Sequence, residues 1–228
     1  MKNNWILGVA IIISSIILAF GMSKIRPQNN YVTVKGLSEK EVVADQAWWS
    51  INTQINANST DEMQQRIATL ESDIKQFLGS QGFTAVEMNS PSLNVYQNNY
   101  RDARARLTGD YKLSITTKDI SKVQEAVKNN GDLIAKGILL QTDQWSAGPK
   151  YYFTQFKALK KEMLAEATRE AKSAAQEFAV NSGSVVGKIR RANQGVFQIL
   201  PGNRTQENEV FFPDKIIRVV STVDYFLN

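Results

Sequence analysis

Serine–lysine pairs and rows of carboxylates are what this 228-residue sequence offers to chemistry, because it contains no histidine and no cysteine. Without histidine there is no Ser-His-Asp triad, no imidazole general base and no HExxH zinc site. Without cysteine there is no thiolate nucleophile, no disulfide and no Cys-based zinc or iron–sulfur centre. A Ser–Lys dyad survives the elimination, yet no Ser-x-x-Lys stands at a helix start in a setting that singles it out. Glu162, Glu166 and Glu170 recur at i, i+4 and i+8 with Lys161 and Arg169 beside them, the pattern of an exposed charged helix face rather than an acid–base pair. Asp45 opens an otherwise apolar strand face, where a carboxylate accepts backbone N–H groups. The expectation is a protein that is not an enzyme, with no cofactor and no bound metal.

The residues suited to binding are fewer. Trp48 and Trp49 point to opposite faces of a strand, so Trp49 is assigned to the core and Trp48 is the candidate surface contact. Arg101, Arg104 and Arg106 form a candidate basic contact cluster, and Lys188, Arg190 and Arg191 a second one. Neither is interleaved with aromatics, and both read as solvated charge rather than a nucleic-acid track. The overall balance agrees. Of 27 basic residues, Lys2, Lys24 and Arg26 lie in the first 26 positions without an acid, leaving 24 against 22 acidic residues in the rest.

Those three cations flank residues 5–22, WILGVAIIISSIILAFGM, which run from Trp5 through Ile12, Ile17 and Phe20 to Met22 without a charge. As a helix the run spans about 27 Å, close to the hydrocarbon thickness of a bilayer. It is expected to be a membrane-spanning anchor, residues 1–26 with their flanks, ahead of a folded region at 27–228. The run is long for a cleaved signal. Ala19-Phe20-Gly21 nevertheless fits a small-x-small site, so release after cleavage near Gly21 is the alternative. A short N-terminal tail favours a signal anchor with residues 27–228 outside the cytoplasm.

Beyond Pro27 the pattern mixes helix and strand. A short strand at 31–36 and a polar turn lead to a long strand at 42–57, apolar on the side of Ala47, Trp49, Ile51 and Ile55. Ser59 or Thr60 caps a helix whose apolar stripe is Met63, Ile67, Leu70, Ile74, Phe77 and Leu78. Extended chain at 83–96, a strand at 109–116, a short helix from Asp119 or Ser121, and a strand at 134–145 follow. The longest helix occupies 154–181, with Phe156, Leu159, Met163, Ala167, Ala171, Ala174 and Phe178 inward and its Ala-rich face suited to close packing. Strands at 185–192, 196–200 and 216–227 close the chain. The fold class is α+β, mostly antiparallel sheets with about three helices.

Three stretches together resemble the SIMPL-domain family of bacterial cell-envelope proteins. The first is Val32-Thr33-Val34-Lys35-Gly36 followed by Ala44-Asp45-Gln46-Ala47. The second is the helix from Thr60 to Gly82. The third is the Ala-rich helix leading to Gly183 and Gly187-Lys188-Ile189. Ala44 departs from the proline common in the family, and Val86-Glu87-Met88-Asn89-Ser90 replaces its usual turn. The resemblance implies a periplasmic α+β domain, a homo-oligomer of ring or channel type, and a role in oxidative-stress defence, with no agreed catalytic site. The expected function is therefore that of a non-catalytic, membrane-anchored envelope protein acting through self-assembly. A tethered monomeric module for an unknown small ligand and a His-free hydrolase are the alternatives.

Overall fold

The computed structural model describes residues 8, 12–18, 30–99, 104–141 and 148–228. Residues 12–18 are helical, and Ile12, Ile13, Ile16, Ile17 and Leu18 leave 52–67% of their surface exposed. Among the described residues no helix is long and apolar enough to cross a membrane. Trp5, Phe20 and Met22, the other positions assigned to the span, lie outside the described residues.

The rest is α+β. Strands β1 (Tyr31–Val43), β2 (Gln46–Ala57), β3 (Ser92–Gln97), β4 (Leu107–Thr117), β5 (Lys150–Tyr152), β6 (Val186–Gln194), β7 (Gln198–Pro201) and β8 (Asp214–Leu227) form two four-stranded sheets. One has the order β1-β8-β6, with β7 also paired to β8, and the other has the order β3-β4-β2-β5. The helices are α1 (Thr60–Ser80), α2 (Ile120–Lys128), α3 (Gly131–Ala135) and α4 (Phe156–Asn181). By contact density the chain divides into two compact units. The first takes residues 1–38, 162–196 and 219–228, and the second takes 39–161 and 197–218.

The first unit is built on small side chains. Met163, Ala167, Ala171, Ala175 and Ala179 of α4 are each no more than 2% exposed. They follow the i+4 ridge of the helix. Facing them, β1 turns Val34, Gly36 and Ser38 inward. A Cβ on Gly36 would stand 1.8 Å from the Ala167 carbonyl oxygen, so helix and strand touch backbone to backbone. This explains two departures from expectation. Residues 37–41, expected as a polar turn, continue β1, because the inward positions there are filled by the small groups the helix requires. Phe178, expected inside, is 59% exposed, since a phenyl ring has no room along a ridge of alanines. The Ala-rich face is thus occupied within its own unit. Glu166 is likewise not a free member of an exposed row. It accepts a 2.7 Å hydrogen bond from the buried Ser38 hydroxyl.

The second unit is built on large side chains. The inward face of β2 (Ala47, Trp49, Ile51, Ile55, Ala57) and that of β4 (Tyr111, Leu113, Ile115) pack with Met63, Ile74, Phe77 and Leu78 of α1. Ser59 caps α1 by accepting from the Glu62 N–H, as its position before the helix suggests. Gly82, at φ 82°, ends it: the Phe83 N–H reaches the Leu78 carbonyl and the Gly82 N–H that of Gly79, a Schellman motif. The same pair of bonds around Gly137, Ile138 to Leu133 and Gly137 to Ile134, ends α3. Here the expected strand at 134–145 is corrected. Residues 131–135 are helical, 136–141 are turn and coil, and 142–147 lie outside the described residues. Leu133, fully buried in the core, anchors that helical turn, and the left-handed Gly137 stops it, which a continuous strand would not allow.

Candidate functional site

The outward face of the second unit's sheet places side chains together that lie far apart in sequence. Because β2 alternates, turning Trp49 and Ile51 inward turns Gln46, Trp48, Asn52 and Gln54 outward. The antiparallel registers Trp48↔Thr116 and Asn52↔Lys112 bring Thr116 and Lys112 of β4 to that same face. The registers Gln46↔Tyr152 and Trp48↔Lys150 do so for β5. The Lys112 ammonium lies 5.5 Å and the Lys150 ammonium 5.2 Å from the centre of the Trp48 ring. Both are within cation–π range. Neither lysine has an acidic partner among the described residues. Gln46, Trp48, Thr116, Lys150 and Tyr152 line an open groove of about 430 Å³.

Asp45 holds one side of this groove. Its backbone N–H donates to the Tyr152 carbonyl at 2.9 Å, and its carboxylate accepts from the Thr154 N–H at 2.8 Å and the Thr154 hydroxyl at 3.0 Å. The carboxylate therefore fixes the chain that leaves β5, which sets Tyr152 and Lys150 beside β2. The turn at 84–89 holds the other side. Asn89 donates to the hydroxyls of Ser114 at 3.1 Å and Thr116 at 3.2 Å. Glu87 anchors this turn by accepting from the Thr117 hydroxyl at 2.5 Å, the Thr84 N–H at 2.8 Å and the Thr84 hydroxyl at 2.9 Å, with Lys122 at 3.3 Å. The Thr117 hydroxyl first, then the Thr84 N–H, hold its carboxyl down at about 2 against an ordinary value of 4.5, over the opposing effect of burial.

The other candidates are placed differently. Arg104 and Arg106 are exposed where the chain returns from β3 into β4, while Arg101 lies outside the described residues. Arg106 and Thr116 are at opposite ends of β4, about 30 Å apart at the rise of a strand. The arginine cluster and Trp48 therefore do not form one site. On β6, Arg190 stacks on Tyr31 at 4.1 Å and pairs with Asp224 at 3.6 Å, so that cation is engaged within its unit. A second groove, about 540 Å³, is lined by Glu41, Val43, Asn203, Asp214 and Lys215. The Lys215 ammonium there is buried and bound to the Glu209 carbonyl at 2.7 Å and carboxylate at 3.0 Å, a structural pairing. Among the described residues no three His, Cys, Asp or Glu side chains converge as a metal site. What the Trp48 face can do chemically is bind. It offers two cations, two aromatic rings, an amide and a hydroxyl. Lys112 and Lys150 were not among the residues singled out from the sequence. The only available signal was the outward parity of Lys112 on its strand, and the register needed to use it is non-local.

Among curated proteins, none matches this sequence significantly. Among solved structures, the crystal structure of an uncharacterized conserved protein from Listeria innocua is similar at 11% identity, with 80% of this chain and 91% of that chain covered and a TM-score of 0.23. The SIMPL family profile, described as a protein of unknown function (DUF541), matches residues 32–216, which takes in β1 from its second residue, β2 to β7 and helices α1 to α4 and ends at the start of β8. The chain belongs to the SIMPL family.

Proposed function

We propose that this protein is a non-catalytic, membrane-anchored component of the bacterial cell envelope that works by self-association. One observation carries the association. Strand β3 is an edge of its sheet, exposed along all six residues, and its sequence SLNVYQ holds no charge. Leu93, Val95 and Tyr96 are 42–43% exposed on it. An uncharged open edge pairs readily with another strand, whereas edges that stay single usually carry charge. The long edges of the other sheet supply the contrast, since β6 bears Lys188, Arg190 and Arg191 and β1 bears Lys35, Glu39, Lys40 and Glu41. A second copy of β3, added antiparallel about a two-fold axis, would continue the sheet into its twin.

The apolar run at 5–22 supports the anchor, and the exposed isoleucines of its described helical part are what lipid would cover. The envelope location and a contribution to oxidative-stress defence are what membership of the family suggests, and they are part of the same proposal. The test is the mass of the full chain in detergent, by light scattering across a range of concentrations, with and without Asn94→Lys. Asn94 is exposed, so the substitution leaves the core untouched while setting like charges against each other across paired edges. The proposal expects a defined oligomer that Asn94→Lys dissociates. A monomer at every concentration, or an oligomer indifferent to Asn94→Lys, would overturn association through β3.

A further inference from the structure

From the Trp48 face we infer a binding site for an acidic saccharide, a sugar that carries a carboxylate. The inference goes beyond self-association and stands whether or not copies pair, because the site lies on the face of the sheet, across β4, β2 and β5, while a second copy would add at the outer edge of β3. Three features of the groove point to this class of ligand. The first is charge. Lys112 and Lys150 converge on one indole and neither is neutralised by an acid among the described residues. Two ammoniums within 5.5 Å of one ring centre, neither paired with an acid among the described residues, favour an anion. The second is the surface between them. The half-exposed Tyr152 ring presents a π face, which attracts the electropositive C–H side of a sugar ring, and Trp48, whose ring both ammoniums approach, holds the cations beside it. The third is polarity. The Gln46 amide has donors and an acceptor at hand, and the Thr116 hydroxyl accepts from Asn89 while keeping its own proton to donate. A few polar groups set around an apolar platform is how a small-molecule site fixes orientation.

The limits of the charge argue against a nucleic-acid strand. Along the same face, beyond Lys112, the next outward residues are Gln54 and Asp110, hydrogen-bonded to each other at 3.1 Å. A single-strand track needs a continuing basic groove, and here it ends in a carboxylate.

The site is tested on the full chain in detergent by calorimetric titration with trigalacturonate, its neutral methyl ester, inorganic phosphate and oligothymidylate. The expected result is a dissociation constant of ~1 mM or tighter for trigalacturonate. The ester and phosphate are expected to bind ~10-fold more weakly, because each lacks one half of the recognition. Replacing Lys112 and Lys150 together by Gln, and separately Trp48→Leu, should each weaken trigalacturonate by ~10-fold. Thermal unfolding checks that each variant is folded. If one is not, the unsubstituted protein still decides the matter: raising salt from ~20 to ~500 mM should weaken trigalacturonate several-fold and leave the ester unchanged. Binding of the ester or of phosphate as tight as that of trigalacturonate would overturn the assignment. So would indifference of a folded variant to its substitution, tighter binding of oligothymidylate, or no binding of trigalacturonate at all.

Discussion

The two units pack a helix on a sheet by opposite means. In the second, α1 meets β2 and β4 through Trp49, Ile51, Ile74, Phe77, Leu78, Leu113 and Ile115, so the space between the layers is filled by large side chains. In the first, α4 meets its sheet through Ala167, Ala171 and Ala175, opposite Val34 and Gly36, so there is almost no space to fill. The core of the second unit gains its stability from apolar area removed from water. That of the first unit gains less area per residue, and relies on close backbone approach and the dispersion contacts that come with it. Each is therefore sensitive to a different error. A core of large residues fails by losing atoms, and a core of small ones fails by gaining them.

The same product, alanine, breaks each in its own way. Gly36→Ala adds one carbon where a Cβ would stand 1.8 Å from the Ala167 oxygen and 2.5 Å from the Ala171 nitrogen, both backbone atoms that cannot swing aside. The expected loss is about 4 kcal/mol or more, at the upper end for overpacking. Ile51→Ala removes three carbons from a side chain that is almost wholly buried, and the expected loss is about 3 kcal/mol, from transfer energy and the cavity left behind. Urea unfolding of the three proteins measures both. If Gly36→Ala proved as stable as the parent, the close approach of α4 to β1 would be wrong. If Ile51→Ala proved neutral, so would the filled core of the second unit.

The contrast also explains which parts of the architecture could be read from the sequence. Period-2 alternation marked β2, and the spacing of Met63, Ile74, Phe77 and Leu78 marked α1, because large apolar residues advertise the face they bury. Packing by small residues advertises nothing. Gly36 and Ser38 are inward positions of β1, yet glycine and serine among charges at 35–41 have the composition of a turn. Phe178 was assigned inward for the converse reason: hydrophobicity suggests burial, but only the partner surface decides whether a ring fits. The site was legible in one residue. The outward parity of Trp48 follows from that of Trp49, whereas its neighbours Lys112, Lys150 and Tyr152 arrive through strand registers that no local pattern specifies. Glu87 was visible as a departure from the family's turn and as nothing more, since its partners Thr117 and Lys122 are supplied by β4 and α2.

The smallest of the effects concerns that carboxylate and separates the units by pH. Glu87 has a side chain 17% exposed and is held at about 2, against an ordinary 4.5, by Thr117, Thr84 and Lys122. A depressed pKa means that the folded state favours the ionised form. The stabilisation is therefore complete above pH 4.5, and it is lost as the pH falls from there through about 2. At 1.36 kcal/mol per pKa unit it amounts to about 3 kcal/mol at most. Glu87→Gln keeps the shape and deletes the charge, so it should cost a similar amount at pH 7. It should also flatten the decline of stability between pH 4.5 and 2. Amide hydrogen exchange locates the effect: protection of Asn89 and Thr116, whose N–H groups hold the turn against β4, and of Glu87, whose N–H closes the turn on the Thr84 carbonyl, should fall with acid in the parent. Equal loss of protection in α4, at Ala171 and Ala175, would mean that acid acts on the whole molecule and that Glu87 does not staple this turn in particular. Loss confined to the turn would show that Glu87 clasps the turn alone, and loss that spreads into β4 and β2 while sparing α4 would show that the filled core depends on a polar clasp at its edge.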